Sequence, residues 1–465
     1  MTACLFTLAA LTNAFLLFLV EPLAGKMVLP LLGGAPAVWN TVMLFFQTAL
    51  LGGYLYAHVS GRLSLASQVA TQAVVLAAMA ALLPVGVPAG WVAPGVELPL
   101  ASVFALVAVM AGGPFVALAA ASPIIQRWFA STDHPRADDP YFLYAATNAG
   151  SLAGLLAYPF VVEPSLRVVD QAWVWTAGYA AAGTLTIGCG LLAMRRARNA
   201  GIAGADRVPA ETATPREACE ARPGWRERGR WLLLAFVPSS LMLGVTTHIT
   251  TDIAAFPLLF VVPLALYLVT FILAFARRQV VPWRAVELVF PLAALPVIYT
   301  YALEPTEPFW LLVPLHLACF FLIALGCHHW LARSRPSARH LTSYYLWIAA
   351  GGALGGVFNG VLAPLVFDTV LEYPLVVVLA CFVRPSSGRE TGGARRVIAD
   401  VVFALAAGAA VWPLEQGLAG TGLLDGATSE AVGLGLVLVA SSFVAMTPRR
   451  FALVTAALLI ATHTQ

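Results

Sequence analysis

The sequence predicts an all-α polytopic membrane protein with fourteen or fifteen transmembrane helices. Of its 465 residues, 60% are hydrophobic and 11% are charged, and the mean hydropathy is +0.84. Ordinary soluble domains contain roughly 45–50% apolar and about 25% charged residues. This composition excludes a water-soluble globular protein, a disordered chain and a nucleic-acid-binding chain. The spacing of the apolar runs and the distribution of the basic residues support the same fold class.

Apolar runs of the length that a bilayer requires recur along the whole chain. A hydrocarbon core about 30 Å thick needs roughly 20 mostly apolar residues per helix. The first run has no basic segment before it and no small-residue cleavage site after it, so we interpret it as a retained helix. The fifteen runs lie near residues 3–20, 37–57, 66–89, 99–121, 141–162, 171–193, 231–247, 253–276, 285–302, 309–330, 342–366, 370–383, 397–413, 431–446 and 450–462.

The basic residues predict the orientation, because Lys and Arg accumulate in the short cytoplasmic loops of membrane proteins. When the Arg-rich segment 195–230 is taken as internal, every Lys and Arg except Lys26 and Arg167 falls on the cytoplasmic side. The N-terminus is then cytoplasmic. The last uncharged run, Phe451 to Ala461, predicts a truncated fifteenth span and an external C-terminus. Six acidic residues lie in the predicted outer loops: Glu97, Glu304, Glu307, Glu415, Asp425 and Glu430.

A segment near the end of the first half of the chain recurs in the second half. The motifs Tyr-Phe-Leu-Tyr-Ala-Ala from Tyr141 and Tyr-Tyr-Leu-Trp-Ile-Ala from Tyr344 are each followed by a glycine pair and by a Pro ahead of an acid, Glu163 or Asp368. Both segments fall on the fifth span of a half, which predicts two six-helix repeats in parallel orientation. The predicted domains are a first repeat at 1–195, a basic cytoplasmic linker at 196–230, a second repeat at 231–385 and additional C-terminal helices at 386–465.

Four strings of residues resemble one known family. They are Asn13-Ala-Phe-Leu-Leu-Phe-Leu-Val-Glu-Pro-Leu-Ala-Gly-Lys26, Trp39-Asn40-Thr41, Asp139-Pro-Tyr-Phe-Leu-Tyr-Ala-Ala-Thr-Asn148 and Thr251-Asp-Ile-Ala-Ala-Phe-Pro-Leu258. These strings resemble the membrane part of bacterial fused major-facilitator/spermidine-synthase proteins. The resemblance implies a degenerate major-facilitator-like fold in the bacterial inner membrane. It also implies a transporter-like function with a small polar or amine-like substrate.

The chain departs from that family in two places. Its densest glycine cluster, Gly351 to Gly356, lacks the GxGxxG spacing of a nucleotide-binding turn and lies inside a span, so we expect no synthase active site and no cofactor in this chain. The loop from Gly53 to Arg62 lacks the acidic residue and the first Arg of the major-facilitator gating motif. The alternative function is therefore a non-transporting membrane scaffold that recruits or anchors a spermidine-synthase-like enzyme.

Glycines spaced four residues apart are typical of close helix packing in lipid. The pairs are Gly150 with Gly154, Gly352 with Gly356, and Gly356 with Gly360. We expect these faces to pack against other helices rather than to bind phosphate.

Two charged residues follow the first apolar run. Glu21 and Lys26 flank Pro22 and Gly25, so we expect the helix to break there, with both side chains facing an aqueous vestibule or each other. A charge at membrane depth costs about 2.5–3.5 kcal/mol on insertion scales and often marks a functional site. The alternative is a surface pair that anchors the outer end of the helix.

His248 and Asp252 lie four residues apart and share one face of a helix. An imidazole beside a carboxylate is suited to relaying protons or to holding a cation. The alternative is a capping cluster for a helix that begins near Ile253, since Thr and Asp are favoured N-caps.

Amide side chains inside apolar spans complete the set of candidate binding residues. Asn40 and Asn148 are candidates for substrate contact, and interhelical hydrogen bonding is the alternative for both. If the chain is a carrier, we expect Glu21, Lys26, Asn148, His248 and Asp252 to converge on one cavity. The six Cys residues show no CxxC spacing and the histidines form no HxxxH pair, so we expect no metal site.

Overall fold

The computed structural model describes residues 2–32, 36–91, 99–199, 223–253, 260–276, 281–384 and 394–463. They form helices and no β-strand. The helices are α1 Thr2–Leu32, α2 Pro36–Ser60, α3 Leu65–Ala80, α4 Pro99–Val107, α5 Gly113–Ala130, α6 Phe142–Ala157, α7 Glu163–Ser165, α8 Val168–Asn199, α9 Trp225–His248, α10 Val261–Phe275, α11 Trp283–Leu292, α12 Ala294–Leu303, α13 Phe309–Arg333, α14 Leu341–Val357, α15 Ala363–Val366, α16 Glu372–Val383, α17 Ala394–Ala409, α18 Val411–Gly420, α19 Gly426–Ser442 and α20 Pro448–His463.

The helices confirm the predicted class of all-helical membrane protein. Within the described ranges, ten helical segments are long and apolar enough to cross a bilayer, and four shorter apolar helices have 10–17 residues. Each of the fifteen predicted runs overlaps a helix, but the run near 66–89 extends past the end of α3 at Ala80, and part of the run near 253–276 lies outside the described residues. Large apolar side chains such as Phe160 and Leu365 are 75% and 78% exposed, as expected of surfaces that face lipid rather than water.

The predicted break at Pro22 and Gly25 is wrong. Helix α1 continues through both residues and ends at Leu32. A proline removes one backbone hydrogen bond, but transmembrane helices tolerate this where neighbouring groups re-satisfy the backbone. Gly25 provides room for the Trp39 ring, which packs directly on it. The helix therefore carries Glu21 and Lys26 on one continuous segment.

Four short π-helical turns interrupt the described helices. They are Ala108–Gly112, Tyr158–Val162, Ile249–Ile253 and Phe358–Leu362. Tyr158–Val162 and Phe358–Leu362 each follow the helix that carries one copy of the repeated Tyr motif. The two copies of the motif therefore share a local structure of helix, π-turn and short terminal helix. Such turns are rare and occur often at functional sites.

The chain divides into two compact units. Unit 1 comprises Met1–Phe236, Phe271–Arg278 and Ala332–Val361, and unit 2 comprises Val237–Thr270, Gln279–Leu331 and Leu362–Gln465. These units do not follow the predicted repeat boundaries, and the division into repeats stays a prediction.

The core of unit 1 forms where α1 packs against α2, α5, α6 and α8. Its largest buried rings include Phe46, Phe115 and Trp175. The indole of Trp175 donates a hydrogen bond to the Leu16 carbonyl oxygen at 2.8 Å, so the ring satisfies its polar atom while it fills the core.

Two glycines of unit 1 allow helices to approach closely. A side chain at Gly150 on α6 would collide with the Leu11 carbonyl oxygen of α1, and a side chain at Gly351 on α14 would collide with the Leu232 carbonyl oxygen of α9. The two helices that carry the repeated motif, α6 and α14, therefore each pack closely on another helix, α1 and α9 respectively. The predicted use of Gly352 for packing is wrong, because its open side has nothing within 4 Å. Gly351, the residue before it, makes the close approach instead.

Unit 2 has a core that the C-terminal helices share with α12. Ile298 packs there with buried residues of α17 to α20, among them Leu434 and Leu458. At one end of these helices, Asp400 accepts hydrogen bonds from Arg449 at 3.0 Å and from Arg450 at 2.9 Å. This ion triad ties α17 to the start of α20.

Candidate functional site

The six predicted site residues fall in both units. Glu21, Lys26, Asn40 and Asn148 belong to unit 1, and His248 and Asp252 belong to unit 2. Their convergence on one cavity stays a prediction.

In unit 1, Lys26 pairs with an acid other than the one beside it in sequence. Its Nζ lies 2.6 Å from a carboxylate oxygen of Glu163, and both side chains are about one-third exposed, at 39% and 33%. The predicted alternative of a pair between Lys26 and Glu21 is therefore wrong. The ion pair joins α1 to the end of the repeated segment, where α7 begins.

Glu21 is a buried acid in a membrane-spanning helix, with 9% of its surface exposed. No described residue forms an ion pair with it. Ionisable side chains in such positions face the interior of a bundle or a water-filled cavity and are functional candidates by default. Glu21 therefore remains the strongest binding candidate of unit 1.

The amide side chains of unit 1 are weaker candidates for substrate binding than Glu21. Asn148 is buried and donates from Nδ2 to the Tyr144 carbonyl oxygen at 2.8 Å, within its own helix. Asn40 is half-buried on α2. This bond lies within α6, and no hydrogen bond among the described residues joins Asn148 to another helix. Interhelical bonding therefore does not explain why an amide stands at this position.

A cluster of tyrosines in unit 1 was not predicted. Tyr141 and Tyr344, which occupy matching positions of the repeated motif, are in edge-to-face contact with ring centroids 5.9 Å apart. Tyr345 stacks on Tyr144 at 4.7 Å and donates its hydroxyl to Gln126 at 2.7 Å. A contact between two equivalent residues is what a local two-fold relation between the motifs produces.

We expect the Lys26–Glu163 pair to show energetic coupling. Replacing Lys26 by Met should lower the free energy of unfolding of the solubilised protein by about 1 kcal/mol or less, because exposed ion pairs contribute about 0.2–1 kcal/mol. Adding Glu163→Gln should restore part of that loss, since no unpaired carboxylate remains. Thermal unfolding of the two single variants and the double variant measures the coupling, and strictly additive losses would contradict the pairing.

In unit 2, the predicted pair of His248 and Asp252 is present. His248 Nδ1 lies 2.7 Å from Asp252 Oδ2. The helix expected to begin near Ile253 begins at Val261, so Asp252 is not its N-cap and the capping alternative is wrong. Asp252 instead lies in the π-turn that directly follows α9.

Three residues that the sequence analysis did not select complete a polar cluster in unit 2. His316 on α13 lies beside His248 with ring centroids 4.7 Å apart, and Tyr373 on α16 stacks on His248 at 5.4 Å. His316 is hydrogen-bonded through both nitrogens, to the Tyr373 hydroxyl at 3.1 Å and to the Thr300 hydroxyl at 3.2 Å. We name the five residues Asp252, His248, His316, Tyr373 and Thr300 the histidine cluster.

The hydrogen bonds assign the protons of His316. The Thr300 hydroxyl donates to the Pro296 carbonyl oxygen at 2.8 Å, so it accepts from His316 Nε2. Neutral His316 then accepts at Nδ1 from the Tyr373 hydroxyl. His316 is therefore neutral, because a second proton would place a charge on a ring that is 1% exposed and lies beside His248. The two hydrogen bonds of His316 thus fix the orientation of this buried ring beside His248.

Burial changes steeply across the histidine cluster. The Asp252 side chain is 42% exposed and that of His248 is 10% exposed, whereas His316 and Tyr373 are each 1% exposed as whole residues. A polar path thus leads from a partly exposed carboxylate into the interior of unit 2.

Acidic groups surround the exposed end of this path. Asp252 acts electrostatically on the buried carboxyl of Glu372, and both of them, with Glu304, act on Tyr301. Glu304 has a left-handed backbone conformation with φ of 46°, which is uncommon outside glycine. The charges around Asp252 therefore favour a cation. Among the described residues, no group of three or more His, Cys, Asp and Glu is arranged to hold a metal ion.

The sequence carried one signal for His316 and none for Tyr373 or Thr300. An isolated histidine within an apolar span is unusual in itself. Tyr and Thr are common within apolar segments, so neither Tyr373 nor Thr300 stands out in the sequence. Only the packing of α12, α13 and α16 places them in the same cluster as His248.

Comparison with known proteins gives structural similarity alone. No protein-family model and no curated protein sequence matches the chain. Similar solved structures include a bacterial homologue of the iron transporter ferroportin, at 13% identity and a TM-score of 0.48, with 82% of this chain and 96% of that chain covered. The human organic anion transporter MFSD10 has 14% identity and a TM-score of 0.48, with 82% and 98% covered. The POT family transporter PepTSo has 11% identity and a TM-score of 0.46, with 100% and 98% covered. Similarity at this level identifies neither the substrate nor the mechanism of this chain.

Proposed function

We propose that this integral membrane protein is a carrier that exchanges a small amine-like cation for protons. The observation that carries the proposal is the histidine cluster, a continuous set of polar and ionisable side chains, four of which lie in helical segments long enough to cross a bilayer. Such groups are expensive in a bilayer and typically line proton or substrate paths. A scaffold that only anchors another protein has no need of them.

The charge of the cluster supports a cationic substrate. Asp252, Glu372 and Glu304 lie near its exposed end, and none of the ion pairs or electrostatic partners described there involves Lys or Arg. A protonated amine bound at Asp252 would be both a charge partner and a hydrogen-bond donor. The resemblance of the sequence to the fused spermidine-synthase family also favours an amine.

Competition at one carboxylate predicts exchange rather than co-transport. Asp252 can accept a proton or the ammonium group of a substrate, but a protonated Asp252 offers no negative charge to that group. The displaced proton passes to the His248 ring, 2.7 Å from the carboxylate, and from there to water at the exposed end of the cluster. Binding of the amine therefore releases a proton, and release of the amine permits its return.

Uptake into proteoliposomes tests this function. With the full chain reconstituted and the lumen acidic, radiolabelled putrescine should enter in a saturable manner and faster than into protein-free liposomes. The uncharged analogue 1,4-butanediol is the matched control for size and should not compete. Putrescine uptake no faster than in protein-free liposomes would favour the scaffold function, while equal competition by the diol would contradict the amine specificity.

A further inference from the structure

A basic cavity in unit 1 has no residue in common with the histidine cluster. Its volume is about 690 Å³, and it is lined by residues of α2 and the turn after it, of α9 and of α14 with the 3₁₀ turn before it. Four of its eight lining residues are basic in type: His58, Arg62, Arg228 and His340. No lining residue is acidic.

The guanidinium of Arg228 is held in place but is not satisfied. It lies 5.0 Å from the centroid of the Trp225 ring, and Trp225 packs edge-to-face on the lining residue Trp347 at 6.1 Å. Its Nε is buried and donates to no described residue. A buried charged donor without an acceptor is destabilising, so an acceptor supplied by a ligand would stabilise it.

Neighbouring groups leave the arginines of the cavity available. Arg127 donates to the Gly61 carbonyl oxygen and so compensates the partial negative charge at the end of α2. Arg62 and Arg228 are therefore not needed for that role. The guanidinium groups of Arg62, Arg127 and Arg228 all act electrostatically on His58, which shows how closely the positive charges are grouped. No described carboxylate forms an ion pair with Arg62 or Arg228.

Helix ends strengthen the positive potential. Helices α9 and α14 both begin near the cavity, at Trp225 and Leu341, and the positive ends of their dipoles favour an anion there. The N-cap of α14, His340, makes no side-chain capping hydrogen bond. A hydroxyl at Ser343 and two guanidinium groups thus line one space near two positive helix ends, a combination suited to phosphate oxygens.

We propose that this cavity binds a phosphate group through Arg62 and Arg228. Two sources carry the same chemistry, the headgroup of an anionic phospholipid and a soluble phosphate. By the predicted orientation the cavity faces the cytoplasm, where basic pockets between transmembrane helices bind anionic headgroups.

Binding to the purified full chain distinguishes the two sources. Phosphatidylglycerol retention is measured by native mass spectrometry, against phosphatidylcholine as the neutral lipid, and inorganic phosphate is titrated in a thermal-shift assay. Whichever of the two probes the wild type binds, the double variant Arg62→Gln, Arg228→Gln should bind it about tenfold or more weakly. This loss is expected when charge-assisted hydrogen bonds are removed. The variant Arg136→Gln with Arg226→Gln removes the same charge from exposed positions outside the cavity and should bind as the wild type does.

A second variant tests the cavity without changing its charge, and melting temperatures control for misfolding. Ala350→Phe fills part of the cavity and leaves all four basic residues in place, so it should also lose the phosphate ligand. Each variant is compared only where its melting temperature in phosphatidylcholine equals that of the wild type. Retention of phosphatidylglycerol identifies a lipid headgroup, and stabilisation by inorganic phosphate identifies a soluble ligand. Binding of neither probe, or equal loss in the cavity and control variants, would overturn the proposal.

Discussion

Replacing Asp252 by Asn should reduce proton-driven amine uptake by at least about tenfold. The change keeps the size of the side chain and removes the charge that His248 Nδ1 contacts at 2.7 Å. Hydrogen bonds to charged groups contribute about 1.5–3 kcal/mol, which corresponds to a tenfold to hundredfold change in an equilibrium constant. The same substitution removes the carboxylate for which the proton and the amine compete. Uptake and coupling should therefore be lost together.

Asp425→Asn provides the matched control for this variant. Asp425 also belongs to unit 2, but it is exposed and accepts a hydrogen bond from the Thr428 N–H at 2.7 Å as the N-cap of α19. Hydrogen bonds from Thr428 lower the pKa of Asp425, so its role is local. We expect this variant to transport at the wild-type rate. Equal uptake by the Asp252 and Asp425 variants would contradict the role assigned to Asp252.

Substitution of Gly150 or Gly351 by Val should have the largest effect on folding. In each case the new side chain meets a backbone carbonyl oxygen, of Leu11 or of Leu232, which no rotamer change can move aside. Overpacking of a well-packed interior costs about 1–3 kcal/mol, and contact with backbone places these sites at the upper end of that range. We expect a marked loss of monodisperse protein in size-exclusion chromatography after detergent extraction.

Gly352→Val is the control for this pair of variants. It makes the same substitution in the same helix, one residue from Gly351, on a side with nothing within 4 Å. Its yield and melting temperature should stay close to those of the wild type. If Gly351→Val and Gly352→Val behaved alike, the close approach between α14 and α9 would not be the determinant.

The helices could be predicted from the sequence because a bilayer imposes one rule along the whole chain. Every backbone polar group must be paired within the lipid, so apolar runs of sufficient length become helices. The break expected at Pro22 is wrong for the same reason, since the continuous helix keeps more of these groups paired than an unwound segment would. The need to pair backbone polar groups in lipid therefore exceeds the tendency of a proline to break the helix.

The candidate site was predictable only where its residues are close in sequence. His248 and Asp252 lie within one helical turn of each other, and their contact was expected from that spacing. Lys26 and Glu163 are 137 positions apart, and no local pattern pairs them. His316 and Tyr373 reach His248 through the packing of separate helices, which a single sequence does not specify.

The most direct test of the proposed exchange is the pH inside proteoliposomes when an amine is added outside. With a pH-sensitive dye in an acidic lumen, the wild-type protein should produce an alkaline shift on addition of putrescine, larger than in protein-free liposomes or with Asp252→Asn. The comparison removes the contribution of amine that crosses the lipid in its neutral form. A lumenal pH that changes at the same rate in all three preparations would contradict proton exchange by this protein.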